Sequence, residues 1–178
     1  EECFALQGVR TVKEFFLGML PAWVVAFVTC SSAAALPVSM RRIQEKLKVS
    51  KEVSGFVLPL GATVNMDGNA LYQGIAALFI AQAYGIELNL WMQLVIVLTG
   101  TFASIGAAGI PGAGMVVLST VLMSVGLPVD GIALIAGIDR ILDMGRTLTN
   151  VTGDAVAACV IDNQMHPAAE RRTARNES

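Results

Sequence analysis

The sequence predicts an all-α membrane protein: two re-entrant helical hairpins of opposite orientation and two transmembrane helices, one of them broken. Three observations carry this reading. Of 178 residues, 54% are hydrophobic and only 15% charged, with a mean hydropathy of +0.65, whereas soluble domains average roughly 25% charged. From Gly55 to Ile138 there is no Lys or Arg, and the only acids are Asp67, Glu87 and Asp130. Ten of the twelve Lys and Arg lie before Phe15, between Met40 and Glu52, or after Asp162. Intrinsic disorder, nucleic-acid binding and a solvated α/β enzyme are poor readings of such a chain. The net charge of −2 says nothing about partners.

The elements follow in order. Phe15 to Met40 is uncharged and interrupted by small and hydroxyl residues from Thr29 to Pro37. Residues 1–52 therefore read as a first hairpin followed by a basic cytoplasmic loop, Arg41–Lys51. Serines at such a break satisfy freed backbone groups or face a ligand; a kinked ordinary span is the alternative. Residues 53–86 read as a crossing helix whose only charge before Tyr84 is Asp67. It is broken at Gly61–Asn69, where Asn, Asp and Gly favour local unwinding. Leu88–Val129 carries no charge over 42 residues, too long for one crossing of about 20. Glycines and Pro111 between Gly106 and Gly114 interrupt it, and a helix cannot run through them undisturbed. The arms, Leu90–Ser104 and Ala113–Ser124, would be about 22 and 18 Å long at about 1.5 Å per residue. Both fall short of a hydrocarbon core about 30 Å thick, so residues 87–129 read as a second hairpin. Residues 130–163 form the final helix and 164–178 a polar tail.

Placing the basic segments in the cytoplasm makes the first hairpin begin and end inside and the second begin and end outside. Residues 53–86 then cross outward, the final helix returns, and the C-terminus is cytoplasmic. Two hairpins of opposite orientation, each followed by a crossing helix, form an inverted repeat, which points to a transporter in the cell (inner or plasma) membrane. No secretory signal is visible, and the opening Glu1-Glu2 suggests a segment of a longer protein. Cys3, Cys30 and Cys159 have no metal or disulfide spacing and read as buried thiols.

The final helix holds the strongest chemical signal. Asp139, Asp143, Arg146, Asn150 and Asp154 are spaced +4, +3, +4 and +4, an arc of about 80° on a helix, with Thr147 beside it. Each ion would cost at least about 2.5–3.5 kcal/mol at a bilayer centre, so this stripe cannot face lipid. It reads either as a salt-bridge ladder, with Asp143–Arg146 and Arg146–Asn150 as neighbours, or as a binding site. Three acids against one arginine leave negative charge over, which calls for bound cations. Arg140 falls about 100° from Asp139, off the stripe. Around Asp67, unwound carbonyls beside a carboxylate are hard-oxygen ligands suited to Na⁺; an Asp that only caps a kink is the alternative. His166 reads as solvent-facing, the methionines as core filler, and Trp23 and Trp91 as interfacial anchors.

Asn65-Met66-Asp67-Gly68, the serine-rich tip Thr29–Pro37, the tip Gly106–Gly114 and the run from Asp139 to Asp154 resemble the dicarboxylate/amino acid:cation symporters, the glutamate/aspartate transporter family. The resemblance runs from about Val12 to Asp162 and corresponds to that family's C-terminal core. It implies a symporter core that moves an acidic amino acid, aspartate or glutamate, with sodium by elevator-type alternating access. It also implies a homotrimer in the full-length protein. By position, Arg146 would grip the substrate's side-chain carboxylate and Asp143 its amino group. Asn150 and Ser32 would hold the α-carboxylate with Thr147 beside them, and the tip around Ile110 and Gly114 would close as a gate. One sodium site would use the carbonyls of Gly61, Asn65 and Asn150 with the Asp154 carboxylate. A second would use the carbonyls of Thr63, Ser104, Ile105 and Ala107. A third would involve Asp67 and the Asn65 side chain, with partners from the rest of the protein. The resemblance also reads Arg146 as against a neutral amino acid, Asp143 as for an amine, and Asp154 as for sodium. Asn69 stands at a substrate position where Thr is common, which leaves aspartate against glutamate open. Cys30 stands where some relatives carry an Arg.

The alternative within this class is a proton-coupled glutamate/aspartate or C4-dicarboxylate transporter. An intramembrane aspartyl protease would need two carboxylates sharing a proton; here the best acids lie on one helix with an arginine between them, and an enzyme is not expected. A non-transporting subunit is a third reading, and the 178 residues alone are not expected to transport.

Overall fold

A computed structural model of the protein describes residues 12–107 and 109–166. Every regular element among them is helical. Helices α1 (Val12–Thr29) and α2 (Ser32–Glu45) form a hairpin joined by Cys30 and Ser31 alone. Helices α3 (Lys51–Val64) and α4 (Asp67–Ala83) are two halves separated by Asn65 and Met66. A second hairpin pairs α5 (Leu90–Ser104) with α6 (Ala113–Ser124), and a 3-10 turn (Val129–Ile132) and the short α7 (Ala133–Ala136) lead into α8 (Asp139–Met165). Cys3 and most of the tail lie outside the described residues.

The first two breaks are narrower than the residue pattern suggests, whereas the second hairpin's arms have the expected bounds. Cys30 adopts a left-handed φ of 52° and its N–H closes α1 on Ala26 O at 2.9 Å. Ser31 then caps α2, its Oγ accepting from Ala34 N–H at 3.1 Å. That cap and three alanines restart the helix at Ser32, and it runs through Pro37 with the loss of one backbone bond. In the central helix only Asn65 and Met66 are unwound. The final helix, by contrast, begins at Asp139 rather than near Gly131, because residues 129–138 are spent on the 3-10 turn and α7. Its other end is fastened to the start of α3, where Asp162 Oδ1 accepts from Ser50 N–H at 3.1 Å.

Two apolar clusters hold the helices. One packs Phe15, Met19, Ala22 and Ala26 of α1 with Ala35 and Ile43 of α2, Val53 and Leu58 of α3, and Val151, Ala155, Ala158 and Cys159 of α8. The other packs Tyr72, Ala76, Ala77 and Ile80 of α4 with Ile96 of α5 and Leu118, Val121 and Leu122 of α6. The many alanines let helices approach closely, the packing mode available where lipid removes the hydrophobic drive between helices. Trp23 packs edge-on against Phe15 and Phe16 rather than standing free, whereas Trp91 is exposed.

Among the described residues much of the surface is apolar while five charged side chains, all on α8, are buried. Phe16, Leu17, Leu20 and Val24 of α1, Phe56 of α3, Leu71 and Ile75 of α4, and Trp91 and Phe102 of α5 are exposed, while Asp139, Asp143, Arg146, Asp154 and Asp162 are buried. This inverts the usual distribution of a soluble protein. Helix α1 is long and apolar enough to cross a membrane by length and composition; α5 and α6 are apolar but shorter.

Candidate functional site

The three helix breaks meet between the two clusters. Gly109 O accepts from Ser31 Oγ at 2.7 Å, which joins the two hairpin tips. Gly106 N–H donates to Thr63 O at 2.8 Å, joining the second tip to the end of α3. Both Gly106 and Gly112 have φ of +79°, a left-handed conformation that glycine adopts without steric cost. At the centre lie the N-terminal ends of α2, α4 and α6 and the C-terminal ends of α1, α3 and α5. Helix N-termini favour anions and C-termini favour cations, so one cavity rim offers both kinds of end.

Helix α8 supplies the charged wall. Arg146 Nη2 donates to Asp139 Oδ1 at 3.2 Å and lies 3.1 Å from Asp143 Oδ1. Its Cζ sits 3.9 Å from the centroid of the Tyr72 ring, and Tyr72 Oη donates to the same Asp139 oxygen at 3.0 Å. A cation over an aromatic face and two carboxylates hold the guanidinium plane in place. Nη1 is the exception: it is buried and has no hydrogen-bond partner among the described residues. Gly114 stands so close to Nη1 that a Cβ there would overlap it. Arg140 lies off the stripe and is exposed; its Nη2 donates to Val28 O at 3.3 Å.

The cavity in front of Arg146 is lined by Cys30, Ser32, Met66, Asn69, Gly109, Ile110, Ala113, Gly114, Asp143, Thr147 and Asn150. All eight residues read as substrate-binding therefore border one space: Arg146, Asp143, Thr147, Asn150, Ser32, Ile110, Gly114 and Asn69. Its volume is about 20 Å³, room for about one water molecule. Asp143 Oδ2 accepts from Gly112 N–H at 2.9 Å, which ties the second tip across the cavity mouth. Thr147 Oγ1 donates back to Asp143 O on its own helix. Asn150 bonds to the helix break rather than to Arg146: its Oδ1 accepts from Gly68 N–H at 2.8 Å and its Nδ2 donates to Met66 Sδ at 3.3 Å.

The residues read as cation ligands fall into three groups. Asp154 Oδ1 accepts from Asn65 Nδ2 at 3.1 Å, and Gly61 is close enough that a Cβ there would meet the same carboxylate oxygen. Gly61, Asn65 and Asp154 are thus neighbours at the C-terminal end of α3, with Asn150 one turn before Asp154. Thr63, Ser104, Ile105 and Ala107 gather at the C-terminal ends of α3 and α5. There Thr63 O and Ser104 O each accept a backbone hydrogen bond, from Gly106 and Ala107 respectively; a carbonyl keeps a second lone pair for a cation. Asp67 and Asn65 meet at Gly153, whose missing Cβ leaves room for both. They open onto a groove of about 750 Å³ on the outer face of α8.

Three participants escaped the sequence reading, and a fourth, Asp139, was read only as one member of the stripe. Asp139 accepts from Arg146 Nη2 at 3.2 Å although it lies two turns away. Tyr72 and Gln73 look like ordinary members of an apolar helix, and a polar pair one turn after Asn69 was the signal available. Asp162 is 1% exposed; it also lies 3.4 Å from His166 Nδ1, so His166 is half-buried beside an acid rather than simply solvent-facing.

The model of the sodium:dicarboxylate symporter family matches residues 3–164. The chain is 52% identical over 154 residues to excitatory amino acid transporter 4 of Mus musculus, covering 86% of this chain and 28% of that protein. It is 51% identical over 149 residues to excitatory amino acid transporter 1 of Ambystoma tigrinum, covering 84% and 27%. To excitatory amino acid transporter 1 of Homo sapiens it is 50% identical over 149 residues, covering 84% and 28%. The chain spans little more than a quarter of the length of these curated relatives.

Proposed function

Since the chain belongs to the sodium:dicarboxylate symporter family, we propose that it is the substrate- and cation-binding core of a membrane symporter for an acidic amino acid, driven by sodium. The observation that carries this reading is Arg146. Its guanidinium is held by Asp139, Asp143 and Tyr72, while Nη1 has no hydrogen-bond partner among the described residues and lies on a cavity bordered by the N-termini of α2 and α6. A planar fork with an open nitrogen suits a carboxylate.

In this reading the substrate's side-chain carboxylate docks on Arg146 and its ammonium on Asp143, displacing the Gly112 N–H. The α-carboxylate takes Ser32, at the start of α2, and Asn150. Asp143 favours an amino acid over a plain C4-dicarboxylate, which has no ammonium to offer it. The cavity must widen to admit the molecule, so the tip around Ile110 and Gly114 swings away and closes again as the gate. The two hairpins re-enter the membrane from opposite sides, and the exposed apolar helices face lipid or the remainder of the protein. That remainder would supply the trimer contacts and the surface against which this core moves as an elevator.

Charge explains the coupling. Arg146 brings one positive charge against the two negatives of Asp139 and Asp143, and an acidic amino acid adds two carboxylates and one ammonium. Substrate and site are therefore both net negative, and Asp154 and Asp67 deepen the excess. Sodium ions at the carbonyl-rich ends of α3 and α5 offset it, so each cation makes substrate binding more favourable and the substrate reciprocates.

Reconstituted full-length protein is expected to take up radiolabelled aspartate only with an inward sodium gradient. Asp154→Asn is expected to raise the sodium concentration for half-maximal uptake about tenfold or more, the effect of losing one charge-assisted contact. Uptake indifferent to sodium but driven by a proton gradient would overturn sodium coupling in favour of protons. No aspartate uptake under either gradient would overturn the substrate.

A further inference from the structure

Gln73 lies one turn beyond Asn69 on α4 and is fully buried, at 0% exposure. Its Nε2 donates to Gly114 O at 3.0 Å and, more weakly, to Asn69 Oδ1 at 3.4 Å. Its Cβ packs against Gly100 of α5, where a Cβ would come within 2.9 Å. One side chain of α4 thus holds both arms of the second hairpin, α5 by contact and α6 by a hydrogen bond. Its Oε1 is buried with no hydrogen-bond partner among the described residues, a disfavoured arrangement for an amide. Packing alone would be better served by Met or Leu, so the donor to Gly114 is what the amide adds.

Resting on the transport reading above, we infer that Gln73 is a positioning residue for the gate. It pins the first turn of α6 and so fixes where the tip closes over Arg146. The tip itself is held by Gly106 N–H on Thr63 O, Gly109 O on Ser31, and Gly112 N–H on Asp143. These bonds must part when the tip swings, and the last competes with the substrate's ammonium. The Gln73–Gly114 bond lies behind them, inside α6, where it persists as the pivot. Gly114 also abuts Arg146 Nη1, so its placement sets the width of the subsite that receives the carboxylate.

In liposomes containing the full-length protein, Gln73→Met keeps the volume and removes the donor. It is expected to raise the KM for aspartate about tenfold, the loss of one buried hydrogen bond to the Gly114 carbonyl, while Vmax stays near that of the unsubstituted protein. A fall in Vmax at unchanged KM would overturn the inference, since it would mean loss of active protein and not of gate placement. Gln73→Glu separates the bond from the packing, because a buried carboxyl donates to Gly114 O only when protonated. Relative to the unsubstituted protein at the same pH, its KM should be close at acid pH and raised at alkaline pH; a KM ratio that does not move with pH overturns the role. If the unsubstituted protein moves no aspartate, the transport reading itself fails. If it does and both variants keep its KM, only the role of Gln73 fails.

Discussion

Replacing Arg146 with cysteine is expected to lower sodium-dependent aspartate uptake by the full-length protein by about two orders of magnitude or more. A charge-assisted contact contributes roughly 1.5–3 kcal/mol, and a forked one engages two. The substitution also strands Asp139 and Asp143 against each other in a buried layer, where an uncompensated charge costs about 3–5 kcal/mol. Two measurements separate these effects. Uptake at saturating aspartate reports transport, and thermal unfolding in sodium reports stability. Loss of uptake in a protein that still unfolds cooperatively supports the clamp. Unchanged aspartate uptake would remove Arg146 from the substrate and leave it a purely structural member of the Asp139–Tyr72 network.

Gly68→Ala is expected to destabilise the core by about 3 kcal/mol or more, beyond an ordinary overpacked contact, and to abolish uptake with it. Gly68 is where the break in the central helix crosses α8. A Cβ there would overlap Arg146 O and come within 2.9 Å of Arg146 Cα. Those are backbone atoms of a helix, which cannot rotate aside as a side chain can. The same residue's N–H reaches Asn150 Oδ1, so pushing the segments apart also breaks the bond that fastens the unwound segment to α8. Gly74, further along α4, faces open space, and Gly74→Ala serves as the control: it should be neutral or slightly stabilising in a helix interior. Equal melting temperatures for the two variants would refute the close crossing.

The polar stripe was legible because a helix has a fixed period. Spacings of four, three, four and four place Asp139, Asp143, Arg146, Asn150 and Asp154 on one face whatever surrounds them, and all five are buried. The breaks were legible as regions because Gly, Pro, Ser and Asn are poor helix interiors, and the second hairpin's arms run as expected over Leu90–Ser104 and Ala113–Ser124, but the extents of the other two breaks were not legible. Ser31 capping and three alanines shortened the first tip to two residues, a local competition that composition averages away. The start of α8 was misjudged for a related reason: residues 131–138 are as apolar as a helix but fold as a short turn and α7. Pairings were the least legible. Arg146 with Asn150 looked natural at one helical turn, but Asn150 turned to Gly68 and Met66, more than eighty positions away in sequence. Gln73, Tyr72 and Gly109 acquire meaning only from partners on other helices.

By itself, then, the sequence determined which residues must avoid lipid, where helices must break, and that the acids on the last helix outnumber its in-face arginine. These follow from composition and helical period, which are local. Only the tertiary structure decided that Asp139 and Tyr72 hold Arg146, that Gly114 and Gln73 stand at the gate's root, and that the two tips meet at Gly109. Apart from Asp139, which lies two turns from Arg146 on its own helix, those contacts join segments about 30 to 80 residues apart, and the distance between two such segments is set by how α4, α6 and α8 pack, not by either segment's own residues.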